Sequence, residues 1–537
     1  MEVHRYNGPS CRADGIWQLM KRYTHLLLIC LFALILRLAL LIFVEHPGIG
    51  DPNHYYNLAL RLINGQGFTI DYIWQFYNPP ATLVHPEDFW MPFSAILAAI
   101  PMQLTGNMSV PVAVLPFTLL GSLLPVCAYW AARQLGCGKT TSLFAAGAAA
   151  VLPEFVLNSV RTDTTIPNTL FLAITILALT EGLRQSKGWL FLLSGIAAGL
   201  AYLTRGDNLL LVPMFVVTVV IYTIMDRQQI KKNTWRLLLV PVVALIIASP
   251  WLIRNIQVGG SPVVPNLSRL FFLVDFRDHY AYGRDFNFQT LLEAQSITQI
   301  VAKRLFEIAA SIKTMYITLD VFLPVIMFGG LVWLMITRDR QRLLTLAPAI
   351  ILLGGSYVFY TTLAPIANQG GSFKKSYLSL VPLLIPLGAY LLETAIPRRQ
   401  ILVLVCVLGL GFMAANAVEM VRSDIRFVGT YLQYMQTVAD AARELGDAND
   451  DEQIILMAQD PFMLRFFDIQ SVVIPMEDRD TILEVAQRYQ VDYLMMPPAR
   501  PALDPLFEKA ETDPRFVPLV DLPAINVELY GFDFEAD

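Results

Sequence analysis

A chain of 537 residues that is 55% hydrophobic and only 15% charged falls well short of the roughly 25% charge of soluble domains, which excludes an ordinary soluble enzyme and points to the membrane. Residues 1–417 hold 30 Lys/Arg and 20 Asp/Glu, and residues 418–537 hold 9 and 24, so a net −5 divides into +10 and −15. The division predicts a basic membrane body and an acidic soluble tail, with no nucleic-acid partner.

A helix needs about 20 apolar residues to cross a bilayer core. Runs near 24–44, 110–132, 141–157, 166–182, 189–204, 208–225, 236–253, 319–337, 343–362, 376–394 and 400–417 are the candidate spans. The stretch 91–105 is shorter and carries Pro92 and Pro101; it reads as a helix along or dipping into the membrane, with a twelfth crossing as the alternative. The expected fold class is an α-helical polytopic membrane protein of about 11 to 13 spans with a small C-terminal α/β soluble domain.

The first run is too long for a secretory signal, and "VEHPGIGDP" offers no small-residue cleavage site, so it reads as a retained anchor. Basic residues gather in alternate short connections, among them Arg133 and Lys139, Lys231 and Lys232, and Arg340 and Arg342. The positive-inside rule then places the N-terminal segment 1–23 in the cytoplasm of a multi-pass cell-membrane protein. Eleven crossings leave the outer loops 45–109 and 254–318 and the tail 419–537 outside, around a membrane domain of residues 24–418. In the tail, "EQIILMAQD", "SVVIP" and "VDYLMMPP" read as strands, "PFMLRFFD" as a short helix and "RDTILEVAQRYQ" as an amphipathic one. That alternation suits a small α/β layer, and the absence of a glycine-rich phosphate loop gives it no nucleotide site. The five cysteines form no Cys-x-x-Cys pair, so neither a disulfide framework nor a zinc site is expected.

The polar residues of the outer side carry the chemistry. In "GIGDPNHYYNLALRLINGQGF", Asp51 and Pro52 read as the cap and first residue of a helix that stops at Gly65. The same carboxylate lies where the first span reaches the outer interface, with Tyr55 on a helical face beside it. Partial desolvation at that depth suits a general base. Asp163 follows Arg161 in "NSVRTDTTIPNT", a loop so short that the carboxylate stays near the membrane surface; a plain loop ion pair is the alternative. In "SPWLIRNIQVGGSPVVPN", Trp251 fits an interfacial belt and Arg254 emerges with Asn255. The guanidinium there binds a phosphate bidentately or snorkels to lipid headgroups. Lys374 and Lys375 in "QGGSFKKSY" lie outside against the charge trend, as an anionic ligand or anionic lipid would require. Arg205 and Asp207 pair across a tight turn. His85, Glu87 and Asp88 in "LVHPEDFWMP" suit an acceptor or a divalent ion, but this spacing is no metal signature and no residue is assigned as a metal ligand.

In this order, "GDPNHYYNLALRLINGQGF", "WMPFSAILAAIPMQLTG", "RTDTTIPNTLF", "GIAAGLAYLTRGDNLLLVP", "SPWLIRNIQVGGSPVVPN" and the tail "ILMAQDPFML…VDYLMMPP" resemble GT-C-fold glycosyltransferases of the protein O-mannosyltransferase and aminoarabinose transferase type. Where mannosyltransferases often carry a second acid, this chain has Pro52, so the acidic role rests on Asp51 with Asp163 in support. The resemblance implies a polyprenyl-phosphate sugar donor, a hydroxyl acceptor on a protein, glycolipid or glycan, and inverting transfer at the outer face of the bilayer. It implies Arg254, Lys374, Lys375 and Arg161 around the donor phosphate and Tyr55, His85, Trp251 and Asn255 along the substrate. No cofactor is required, and a divalent cation is left open. A transporter or flippase of a lipid-linked sugar and a non-catalytic membrane scaffold are the alternatives. Ionisable residues within the spans are scarce, Arg37 being the clearest, which weighs against coupled transport.

Overall fold

The structure, a computed structural model, describes residues 10–76, 78–263, 267–449, 453–496 and 500–536, with the side chains of 10–22, 267 and 449 left aside. The expected cytoplasmic segment therefore lies partly outside the described residues, as do Pro497 and Pro498 of the last expected tail strand.

Among the described residues, eight helices are long and apolar enough to cross a membrane, or nine if the bent pair Ile297–Ile317 and Phe322–Thr337 forms one span. These eight fall on eight of the eleven apolar runs. The remaining three have local reasons for being shorter. Pro153 splits the run 141–157 into helices Lys139–Val151 and Pro153–Asn158, because proline has no N–H to continue the ladder. Gly188–Thr204 stops after 17 residues. Phe322–Thr337 begins after a 110° bend at Asp320 and Val321, both with positive φ. Phe93–Thr105, with 13 residues, is too short to cross.

One helix and one buried arginine organise the body. Ser372–Ala395 is buried almost all round, which is what an apolar pattern without a polar face requires. It packs against Leu124–Gln134, Lys139–Val151, Thr165–Gln185, Phe322–Thr337 and Arg340–Val358. A Cβ at Gly330 would overlap the Leu387 carbonyl, so glycine permits this close crossing. The second organiser is the buried Arg37 of the first span. It donates to Ser159 Oγ at 2.9 Å and to the carbonyls of Ala33 at 3.1 Å and Ala150 at 3.0 Å. The helix break at Pro153 orphans carbonyls at the end of Lys139–Val151, and Arg37 satisfies one of them as a charged C-terminal cap.

The tail forms as read, with helix Pro461–Phe466 and strands Ile455–Ala458, Gln470–Val473 and Tyr493–Met496. Helix Arg479–Arg488 is capped by Asp478 and buries Ile482, Leu483, Val485 and Ala486. A terminal antiparallel hairpin, Phe516–Leu522 with Val527–Phe532, completes the sheet. Two features tie this layer to the body. The 51-residue helix Arg399–Asn449 runs without interruption through the boundary expected at 418/419. Strand Tyr72–Ile73 of the first long loop pairs in parallel with Gln470–Val473 and becomes the edge of the six-stranded sheet.

Candidate active site

Three separate segments bring their charges to one point at the loop end of the helices. Gly48 and Gly50 both have positive φ, and a Cβ on Gly48 would lie 2.8 Å from Pro52 Cβ, so the glycines of "GIGDP" permit the turn that presents Asp51. Asp51 is the first residue of helix Asp51–Ile63, after the N-cap Gly50. This corrects the expected capping arrangement: the Asp51 carboxylate accepts a hydrogen bond from Lys375, not from its own helix. At the other end Gly65 takes the positive φ expected of it.

Lys375 Nζ donates to Asp51 Oδ2 at 2.9 Å and to Asp163 Oδ2 at 2.6 Å. The two carboxylates are unequal. The side chain of Asp163 is 2% exposed and that of Asp51 is 39% exposed, so only Asp51 is open to a substrate. Burial by itself would raise the Asp163 carboxyl, but the Lys375 ammonium and the Thr165 donors outweigh it and hold the group at about 2. Asp163 Oδ1 accepts from the Thr165 amide at 2.7 Å and the Thr165 hydroxyl at 2.5 Å, which fixes the loop to the start of helix Thr165–Gln185.

The triad lines a cavity of about 1000 Å³ that also includes Arg161 and Lys374. Lys374 pairs with Glu154 at 2.6 Å and is 42% exposed; Arg161 pairs with Asp424 of the long helix. Asp320 and Glu419 face the same space. Each cation already holds a carboxylate, and Lys374 is the most exposed of the three. Lys375 occupies the point between Asp51 and Asp163 that a shared divalent ion would take. Among the described residues, no group of three or more His, Cys, Asp or Glu side chains is suited to a metal.

The other expected residues lie elsewhere. Tyr55 is buried beside the triad among Leu58, Ile70, Tyr72 and Ala95; burial and the Asp51 and Asp163 charges raise its phenol. Arg254 donates to the carbonyls of Phe68, at 3.0 Å, and Glu87, lies 4.6 Å from the Trp251 ring centroid, and is not part of the cavity wall. Asn255 accepts from Arg254 at 3.2 Å. Arg254, with Trp251 edge-on against Phe68 and Asn255 accepting from the guanidinium, clamps the first long loop. His85 sits in a two-stranded ladder opposite Ile70 and meets the Leu83 carbonyl at 2.8 Å. Arg205 and Asp207 do pair, at 2.9 Å, with Tyr360 and Ser376 donating to the same carboxylate.

A second buried cluster lies one helical turn from Asp51. His54 Nε2 is 3.2 Å from Glu87 Oε2, and His54 Nδ1 is 2.6 Å from the Tyr72 hydroxyl. Glu87 Oε1 accepts from the amides of Phe89 and Trp90, both at 2.7 Å. Burial lowers His54 to about 3 and raises Glu87 to about 8, so the pair is neutral near pH 7. Sequence reading missed Glu154, Asp320 and Asp424 in the cavity wall. Glu154 had a signal, being an acid inside an apolar run; Asp424, in an ordinary charged helical stretch, had none.

Residues 84–253 match the family model described as dolichyl-phosphate-mannose-protein mannosyltransferase. No curated protein matches the sequence. The oligosaccharyltransferase AglB from Archaeoglobus fulgidus, solved with an inhibitory peptide and a dolichol-phosphate, aligns with TM-score 0.55 and 13% identity over 89% of this chain and 69% of its own. ArnT from Cupriavidus metallidurans, solved bound to undecaprenyl phosphate, aligns with TM-score 0.54 and 16% identity over 96% of this chain and 99% of its own. The fold is that of the GT-C glycosyltransferases, and the sequence match to the mannosyltransferase model covers residues 84–253.

Proposed function

We propose that this GT-C-fold membrane protein transfers a sugar from a polyprenyl-phosphate carrier to a hydroxyl acceptor at the outer face of the cell membrane, with Asp51 as general base. The observation that carries the reading is the asymmetry of the triad: one accessible carboxylate, one buried carboxylate, and a lysine held between them. A base must come within about 3 Å of the proton it removes, and Asp51 is the member of the pair that a bound acceptor reaches.

Chemistry follows from the arrangement. Asp51 takes the acceptor proton as the acceptor oxygen attacks the anomeric carbon; the sugar–phosphate bond breaks, and the polyprenyl phosphate leaves with its electron pair. Attack from the face opposite the phosphate inverts the anomeric centre. Lys374 and Arg161, with Lys375 behind them, compensate the phosphate charge as it develops. Asp163 is a positioning residue: it holds Lys375, and through it Asp51. The lysine supplies the cation between the carboxylates. Arg254, Trp251 and Asn255 act through the loop they clamp.

The test is transfer of labelled sugar from a polyprenyl-phosphate donor by purified protein in lipid. Wild type transfers, and Asp51→Asn keeps its fold and melting temperature but loses transfer. A fully active Asp51→Asn protein removes the base assignment. A wild type that moves the intact donor across a bilayer but transfers nothing identifies a flippase instead.

A further inference from the structure

The face of helix Arg399–Asn449 that walls the active cavity does not end there. Asn416, Met420, Asp424 and Phe427 follow one another at helical spacing along the cavity. Phe427 is also part of a second cavity of about 410 Å³, between the same helix and the C-terminal sheet. Here the helix presents a ladder of near-parallel rings. Phe427 and Tyr431 are 6.5 Å apart at 8°, and Tyr431 and Tyr434 are 6.0 Å apart at 14°. Asp460 closes the floor and accepts from the Tyr431 hydroxyl at 2.9 Å; Gln459 and Thr430 stand at the rim.

We infer that this second cavity is the acceptor subsite and that it holds a neutral carbohydrate, the glycan part of the acceptor, on the rings of Phe427, Tyr431 and Tyr434. A sugar ring has an apolar C–H face and a hydroxyl edge. The first stacks on an aromatic ring, and the second bonds to carboxylate, amide and hydroxyl groups. This cavity offers both, the rings over about two turns of the helix and the polar groups of Asp460, Gln459 and Thr430 beside them. No Lys or Arg lines it among the described residues, so it has nothing to neutralise a phosphate or an acidic peptide. An extended peptide would need a free strand edge. Strands Ile455–Ala458 and Tyr493–Met496 beside the cavity are paired on both sides, and the edges of the sheet lie at Tyr72–Ile73 and Phe516–Leu522. Asp424 in the active cavity and Tyr434 are ten residues apart, about 15 Å along the helix axis. A glycan of a few units seated on the ladder therefore extends to Asp51 with one hydroxyl.

The word acceptor rests on the transferase reading; the carbohydrate site does not. Maltotriose, mannotriose and chitotriose at millimolar concentration, each added to the full chain in lipid nanodiscs, provide the test by saturation-transfer NMR. At least one shows saturation on its ring C–H protons with wild type and with Asp51→Asn. Tyr434→Ala weakens that binding about tenfold, and Tyr434→Phe restores it. Thr430→Trp, at an exposed rim position, fills the cavity, gives up only the hydroxyl bond to the Arg426 carbonyl of its own helix, and abolishes binding. Saturation by none of the three sugars, or saturation that survives both Tyr434→Ala and Thr430→Trp, overturns the inference. Glycan binding without sugar transfer by wild type keeps the site and removes the transferase reading; transfer without glycan binding does the reverse.

Discussion

The helix Asp51–Ile63 serves two polar clusters on opposite physical terms. At its first residue, Asp51 is partly open to solvent and joined through Lys375 to an ionised Asp163. Three residues on, His54 is completely buried against Glu87 and Tyr72. A charge there would have to be desolvated with little compensation, so both members are neutral. The first cluster keeps charge where water reaches it. The second gives up charge and gains order, holding the loop that Arg254 clamps from the other side. Proximity to a candidate base is thus no measure of catalytic role; exposure and the identity of the partner decide it.

The largest contrast should come from Asp51→Asn. Loss of a general base costs about 10²–10⁴-fold in rate, so transfer should fall by that factor with an unchanged thermal melt. An equal loss of rate and fold would mean that the first cluster is structural like the second. Next, Arg254→Ala removes two carbonyl contacts and a ring contact. It should lower stability by about 2–4 kcal/mol, seen as a lower Tm, with donor KM unchanged where the protein remains folded. A raised donor KM at unaltered Tm would return Arg254 to the phosphate.

The pH response sharpens the comparison further. Glu87 holds its proton up to about pH 8 in the folded chain but releases it near its ordinary value, about 4.5, when unfolded. Between those values the folded state binds more protons, so stability falls as pH rises, by about 1.4 kcal/mol per unit. His54, lowered to about 3 from about 6.5, has the reverse effect: stability rises with pH up to about 6.5. The two slopes cancel between about 4.5 and 6.5, leaving a decline from about 6.5 to 8. Glu87→Gln resembles the protonated acid and keeps its acceptor for Phe89 and Trp90. Its Tm should match wild type near pH 4 and exceed it by a margin that grows from about pH 4.5 to pH 8; parallel Tm profiles would show that Glu87 is not the group responsible. The smallest effect belongs to Arg161→Gln, whose partly exposed pair with Asp424 should contribute no more than about 1 kcal/mol. Its signature is a raised donor KM, and an unchanged KM would remove Arg161 from the phosphate site.

Much of the fold was legible in the sequence because it depends on local rules. Eight long apolar runs became long apolar helices, and the tail strands and helices fell on their expected stretches. The run 141–157 contained its own exception, since Pro153 marks the break in the helix that Arg37 then repairs. Within the site, Asp51, Asp163, Lys374, Lys375 and Arg161 could be chosen one by one, as polar residues at span ends.

Their grouping could not. Lys375 is 324 residues from Asp51 and 212 from Asp163, and no local pattern encodes a contact across that distance. Arg254 had equal standing in the sequence; packing alone turned it toward the Phe68 and Glu87 carbonyls. The strand Tyr72–Ile73, only two residues long, belongs to the C-terminal sheet because Gln470–Val473 offers it an edge. Hydrophobic length and turn chemistry, which act over a few residues, determined the membrane helices and the turn at Asp51. Burial and pairing, which exist only once the helices have packed, decided which carboxylate is open, which is held, and which histidine gave up its charge.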